Sequence, residues 1–198
     1  MRMNASLATS ARIDALVEKK ETVCLLVDTS GSMAFGMPGG PGTRLDAMCR
    51  GVLSILGCSD PRRTEYCLVT FNDVAEIRAP KTSHYLAIQS LKYIADGSTA
   101  MAQGINIALT TRADRIILLT DGESTDPEDQ VLGAAGRCRS AGVKVDCIAI
   151  GEADHKLLRR IAEETGGVFR VASTAEELLK TYCLLETRSY LLLTHGGK

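Results

Sequence analysis

Apolar positions along the chain fall into short, nearly unbroken runs separated by longer stretches of helical period. Four runs read as buried strands: TVCLLVD (22–28), YCLVTF (66–71), RIILLTD (115–121) and KVDCIAI (144–150). The first three carry almost no polar interruption. That is the pattern of parallel strands covered on both faces, where neither side meets water and alternation is lost. Between them, residues 44–57, 99–110 and 127–141 have helical patterning. Strand alternating with helix predicts βαβ units and an α/β, doubly wound sheet. The Asn72-Asp73 pair predicts a tight turn into one antiparallel strand at about 73–79. GGVFRV (166–171) reads as a short last strand, and TAEELLKTYCLLE (174–186) as a closing helix capped by Ser173 or Thr174. AFGMPGGPGT (34–43) is too rich in glycine and proline to be helix or strand. The expected organisation is a helical extension at 1–20, one domain at 21–187 and a tail at 188–198.

Composition narrows the class. With 198 residues, 45% hydrophobic and 24% charged, the chain fits one globular domain with a sizeable core. Its 23 basic and 24 acidic side chains nearly cancel, and no basic run stands out, so no nucleic acid and no membrane surface is expected as the main partner. No apolar run reaches membrane-spanning length, and ASLATSARIDALVEKK (5–20) reads as a soluble helix, so the expected location is cytoplasmic. The seven cysteines agree with a reducing compartment: their number is odd, no C-x-x-C occurs, and they read as small buried hydrophobes.

The chemistry concentrates in CLLVDTSGSM (24–33), where a buried strand ends on Asp28 and is followed by Ser30 and Ser32. A second strand ends on Asp121, and both aspartates lead into glycine-containing turns. In open α/β sheets ligands bind beyond the carboxyl ends of the strands. Two carboxylates at neighbouring strand ends repel one another unless a cation or a proton lies between them. The serines add neutral oxygens, and Thr99, where a glycine-containing loop enters a helix, offers another hydroxyl. Oxygen donors without His or Cys select a hard cation, Mg²⁺ or alternatively Mn²⁺ or Ca²⁺. The plainer reading makes Ser30 and Ser32 turn or N-cap residues. His84, His155 and His195 lie in polar contexts and read as solvated, and GMPGGPG lacks the Lys-Ser/Thr ending of a phosphate-binding loop.

Asp28-x-Ser30-x-Ser32, then Thr99 in GST, then Asp121 in LLTDG, with TFND at a hairpin, resembles the metal-ion-dependent adhesion site (MIDAS) of von Willebrand factor type A (VWA) domains. The likeness runs from about residue 21 to 183. It implies a Rossmann-like three-layer sandwich with a mostly parallel six-stranded sheet, order 3-2-1-4-5-6, and one antiparallel edge strand. It further implies that Asp28, Ser30 and Ser32 contact a Mg²⁺-class ion, with Thr99 and Asp121 completing the site directly or through water. Ser98 replaces a glycine common at that position in the family and competes with Thr99 for the hydroxyl role. An ion held largely by neutral hydroxyls stays electrophilic, so a partner protein's Asp or Glu can complete its shell. Segment 34–43 and Glu123 are expected at the rim, and the ligands themselves are read as rim groups outside the core. Such domains accompany AAA+ ATPase complexes or kinase/phosphatase sets, which makes these the expected partner classes. The rival reading is a Mg²⁺-dependent phosphohydrolase of the haloacid dehalogenase type with Asp28 as nucleophile. Ser30 stands where that family has its second acid, so the chain is expected not to be an enzyme.

Overall fold

The computed structural model describes residues 20–37, 41–83, 85, 93–151, 153–174, 176–177 and 180–181. The element order is β1 (Glu21–Asp28), a 3₁₀ turn (Gly31–Ala34), α1 (Arg44–Cys58), β2 (Thr64–Phe71), β3 (Ala75–Thr82), α2 (Met101–Thr110), β4 (Arg115–Thr120), α3 (Glu128–Ser140), β5 (Lys144–Ile150), α4 (His155–Thr165) and β6 (Phe169–Ala172). The strands form one six-stranded sheet in the order β3-β2-β1-β4-β5-β6, as the family resemblance implies. All neighbours are parallel except β2 and β3.

Burial on both sides explains the unbroken apolar strands. Cys24 and Leu26 of β1 join Ile116 and Leu118 of β4 in a core shared with α2, α3 and α4. Val23, Leu25 and Val27 face the other way and pack with Ile117, Leu119 and the apolar side of α1. The sheet is thus the middle of three layers. At β1, in the centre, the described strands switch from adding on one side of the sheet to adding on the other, and the carboxyl end of β1 opens the crevice there.

The sequence reading needs correction at five points. β2 begins at Thr64 and β3 runs on to Thr82, past the expected end near 79. The last strand is Phe169–Ala172 rather than 166–171. Gly166 adopts φ +73 and closes α4, and a Cβ on Gly167 would lie 2.1 Å from the Val145 carbonyl oxygen, so both glycines belong to a tight connection. Segment 34–43 is not wholly irregular: Ala34 ends the 3₁₀ turn, and Gly36 bridges Thr43. Cys24, Cys67, Cys138 and Cys147 are buried and Cys49 half-buried, but Cys58 is exposed at the end of α1.

Of the expected extension at 1–20 only Lys20 is described, and its Nζ donates to the Pro61 carbonyl and to Ser83 Oγ. The tail at 188–198, Cys183, His84 and His195 lie outside the described residues. Within the expected closing helix, residues 176, 177, 180 and 181 are helical, and Thr174 Oγ1 accepts from the Glu177 amide at 3.2 Å, the cap expected there. His155 is exposed, with Nε2 3.0 Å from the Gly151 carbonyl oxygen.

Candidate metal centre

β1 hydrogen-bonds to β4, so the chain leaves both strands side by side at Asp28 and Asp121. The following loops are tied to one another by backbone bonds. Gly31 N donates to Gly97 O at 3.0 Å, Asp96 N to Thr29 O at 2.9 Å, and Thr125 N to Thr99 O at 3.0 Å. Gly97 sits at φ +75, and a Cβ there would fall 2.4 Å from Asp73 Oδ2, so this turn requires glycine. Asp73 holds the turn by accepting from both the amide and the hydroxyl of Ser98. Ser98 is thereby committed to the hairpin, which leaves Thr99 as the hydroxyl facing the crevice.

The five residues singled out in the sequence converge. Asp28 Oδ1 accepts from Ser30 N at 2.8 Å and Oδ2 from Thr120 Oγ1 at 2.5 Å. Ser30 Oγ lies 3.1 Å from Ser32 Oγ, and Ser32 Oγ donates to Asp121 Oδ1 at 2.7 Å. A Cβ on Gly122 would stand 3.4 Å from Thr99 Oγ1 and 3.5 Å from Ser32 Oγ, so both hydroxyls lie within contact of the same point beside residue 122. Ser30 occupies the N-cap position of the 3₁₀ turn, yet its side chain makes no capping bond. The N-cap reading of that hydroxyl therefore fails.

These groups are not rim groups, as the sequence suggested. Asp28 is 0% exposed and Asp121 3%, because the strands carry their terminal carboxylates into the floor of the crevice. Burial pushes the Asp28 carboxyl up to about 6, against the hydrogen bonds from Thr120 and Ser30, and the nearby Asp121 charge pushes the same way. Glu123, by contrast, is exposed at the rim.

Two further participants escaped the sequence reading. Thr120 supplies the hydroxyl that holds Asp28. Arg44, the first residue of α1, places NH1 2.7 Å from Asp121 Oδ2. Its guanidinium carbon lies 5.8 Å from the centre of the Phe35 ring.

The donor set fits a hard divalent cation: three hydroxyls and two carboxylates, all oxygen, gathered beyond the carboxyl ends of β1 and β4. Among the described residues no three His, Cys, Asp or Glu side chains gather into a metal-binding group, so a cation here depends on the hydroxyls. Among the described residues, too, no helix is long and apolar enough to cross a membrane.

Known proteins agree on the fold. The sequence profile of the von Willebrand factor type A domain matches residues 22–182. Calcium-activated chloride channel regulator 1 of Bos taurus is 28% identical over 173 residues, which are 80% of this chain but 18% of that protein. The human protein of the same name is 27% identical over 165 residues, 76% of this chain and 17% of its own length. The chain thus spans less than a fifth of these relatives. Among solved structures, an aerotolerance-related membrane protein from Bacteroides fragilis superposes with a TM-score of 0.72 at 17% identity, covering 85% of this chain and 99% of that one. The SpRpn10 VWA domain gives 0.67 at 20% identity, over 82% and 93%. With the profile spanning most of the chain and the strand order matching, the protein belongs to the von Willebrand factor type A domain family.

Proposed function

We propose that this chain is a non-enzymatic protein-binding adaptor that holds a Mg²⁺-class ion through Asp28, Ser30, Ser32, Thr99 and Asp121. The ion then receives an aspartate or glutamate of a partner protein. The observation that carries the reading is the Ser30 hydroxyl, placed at a cap position but making no capping bond and lying instead against Ser32 Oγ, which itself donates to the Asp121 carboxylate. Mn²⁺ and Ca²⁺ suit the same oxygens. When bound, the ion supplies Lewis acidity toward an incoming carboxylate. The chain's own part is to hold hydroxyls rather than further acids around it, so that its charge is not quenched. Phe35, 63% exposed beside the crevice, and Glu123 give the partner an apolar and a charged contact at the rim.

The phosphohydrolase alternative is the weaker reading. Asp28 accepts from the Ser30 amide and from Thr120 Oγ1, and Ser30 stands two residues on, where that chemistry needs a second acid. The partner classes proposed from the resemblance are an AAA+ ATPase complex or a kinase/phosphatase set. A cytoplasmic location is supported by the free thiols of the six described cysteines.

Calorimetry with Mg²⁺ and Mn²⁺ tests the metal. Wild-type protein should bind, and Asp28→Ala should not. No binding at millimolar ion would overturn the reading. Partner capture with wild-type and Asp28→Ala protein, each in Mg²⁺ and in EDTA, tests the carboxylate contact. A true partner is lost in both the mutant and the chelator, because each removes the same electrophile.

A further inference from the structure

We propose that Arg44 is an exchangeable latch: its guanidinium pairs with Asp121 and is displaced when a divalent ion takes its share of that carboxylate. The inference rests on the metal reading above and adds a resident competitor to it.

The geometry sets up the competition. Arg44 NH1 holds Asp121 Oδ2 at 2.7 Å while Ser32 Oγ holds Oδ1 at 2.7 Å, so the carboxylate that completes the donor set is already charge-neutralised. A cation gathered by Ser30, Ser32 and Asp121 would face the guanidinium across one carboxyl group. Like charges so placed in a part-buried crevice are poorly screened, and one of them has to retreat. Asp121 cannot be the one, because its side chain is fully buried at the end of β4, whereas the Arg44 side chain keeps 21% of its surface in water.

The latched pose is also an uneasy one. Arg44 Nε is buried without a hydrogen-bond partner, and among the described residues it is the sole buried side-chain nitrogen or oxygen so placed. A desolvated N–H regains water as soon as the side chain swings out. Position adds a second penalty, since Arg44 is the first residue of α1, where the helix dipole disfavours positive charge. Apart from Asp121, the guanidinium touches soft or small surroundings. The Phe35 ring is exposed, and a Cβ on Gly151 would come no nearer than 3.8 Å. One strong ion pair set against an unmet donor and an adverse dipole makes a contact that a doubly charged competitor can open.

The test is Mg²⁺ and Mn²⁺ calorimetry on the full chain as wild type, Arg44→Gln and Arg44→Lys, with thermal melts of each in EDTA and in Mg²⁺. Removing the competing charge should tighten Arg44→Gln about tenfold, within the usual range of coupling between two binding events. Arg44→Lys, which retains the charge, should stay within about twofold of wild type, because the repulsion is Coulombic. In EDTA the Arg44→Gln protein should melt lower than wild type, and Mg²⁺ should raise its melting temperature by more. A wild type that binds while Arg44→Gln binds equally or more weakly overturns the latch alone and makes Arg44 a fixed positioning residue. Equal Mg²⁺-induced shifts in the melts overturn it as well. Binding by neither protein overturns the metal reading and the latch with it.

Discussion

Two arginine–aspartate pairs sit at opposite ends of the same parallel strands, and they are built for different purposes. At the amino end, Arg115 opens β4 and reaches Asp146 of β5, Nε to Oδ2, at 2.5 Å, with both side chains at least nine-tenths buried. The other Asp146 oxygen accepts from Val168 N at 2.6 Å and thereby fixes the entry to β6. At the carboxyl end, Arg44 holds Asp121 from the edge of the crevice, with about a fifth of its side chain (21%) in water and its Nε unmet. The first pair is a fastener between strands. The second is a temporary arrangement of charge around a cavity. An ion pair is thus informative about function mainly through what its remaining donors and acceptors are doing.

The contrast can be broken most severely at the fastener. Asp146→Ala removes the buried carboxylate that accepts from Arg115 Nε and from the Val168 amide and should cost about 3–5 kcal/mol in denaturant unfolding, while Mg²⁺ affinity stays as in wild type. Gly167 sharpens the same end. Its missing Cβ allows the connection to α4 to lie against the Val145 carbonyl, so Gly167→Ala should cost about 1–3 kcal/mol through overpacking.

At the crevice the expected stability effects are smaller and depend on pH. Burial raises the Asp28 carboxyl to about 6, so the folded chain binds that proton more tightly than the unfolded chain. The stability this lends is complete below the unfolded value of about 3.9 and is lost as pH rises through the folded value. In EDTA, wild type should therefore gain about 1 kcal/mol at pH 5 relative to pH 7.5 from this group, and Asp28→Asn should lack that gain. Identical pH profiles for the two proteins would show that Asp28 does not titrate there. The smallest structural effect belongs to Gly122→Ala. Its Cβ would meet only the Thr99 and Ser32 hydroxyls, at 3.4 and 3.5 Å, and its φ is not in the left-handed region. Stability should change by less than about 0.5 kcal/mol, yet Mg²⁺ binding should be lost, because the methyl group fills the cradle.

The sheet was legible in the sequence because strands buried on both faces announce themselves as apolar runs, and β1, β4 and β5 needed little else. β3 was mistaken in length because edge position removes that signal. Ala79 alone is buried along it, so no alternation shows, and Pro80 within it reads as a terminator although an edge strand tolerates proline. The candidate site was legible where it is local. Asp28, Ser30 and Ser32 lie within five residues, and Asp121 is marked by its strand end. Thr99 required the family pattern, since no spacing rule links it to β1. Arg44 and Thr120 stayed hidden because their partners are 77 and 92 residues away in the chain and meet only through strand order. The sequence also hid how deep the site lies: a carboxylate ending a strand reads as exposed until the flanking loops are seen to close over it.

Segment 34–43 is held together at its two ends. Arg44 N donates to Phe35 O at 2.8 Å, Met37 N to Gly42 O at 3.2 Å, and Gly36 bridges Thr43, so the two ends of the segment are zipped together next to the crevice. Length or composition can therefore change between Met37 and Gly42 without moving the backbone that carries Ser32 or Arg44. For protein engineering this is a grafting port. A foreign recognition peptide inserted there would be displayed beside the crevice, and binding specificity could be exchanged while the ion-holding apparatus stays as it is.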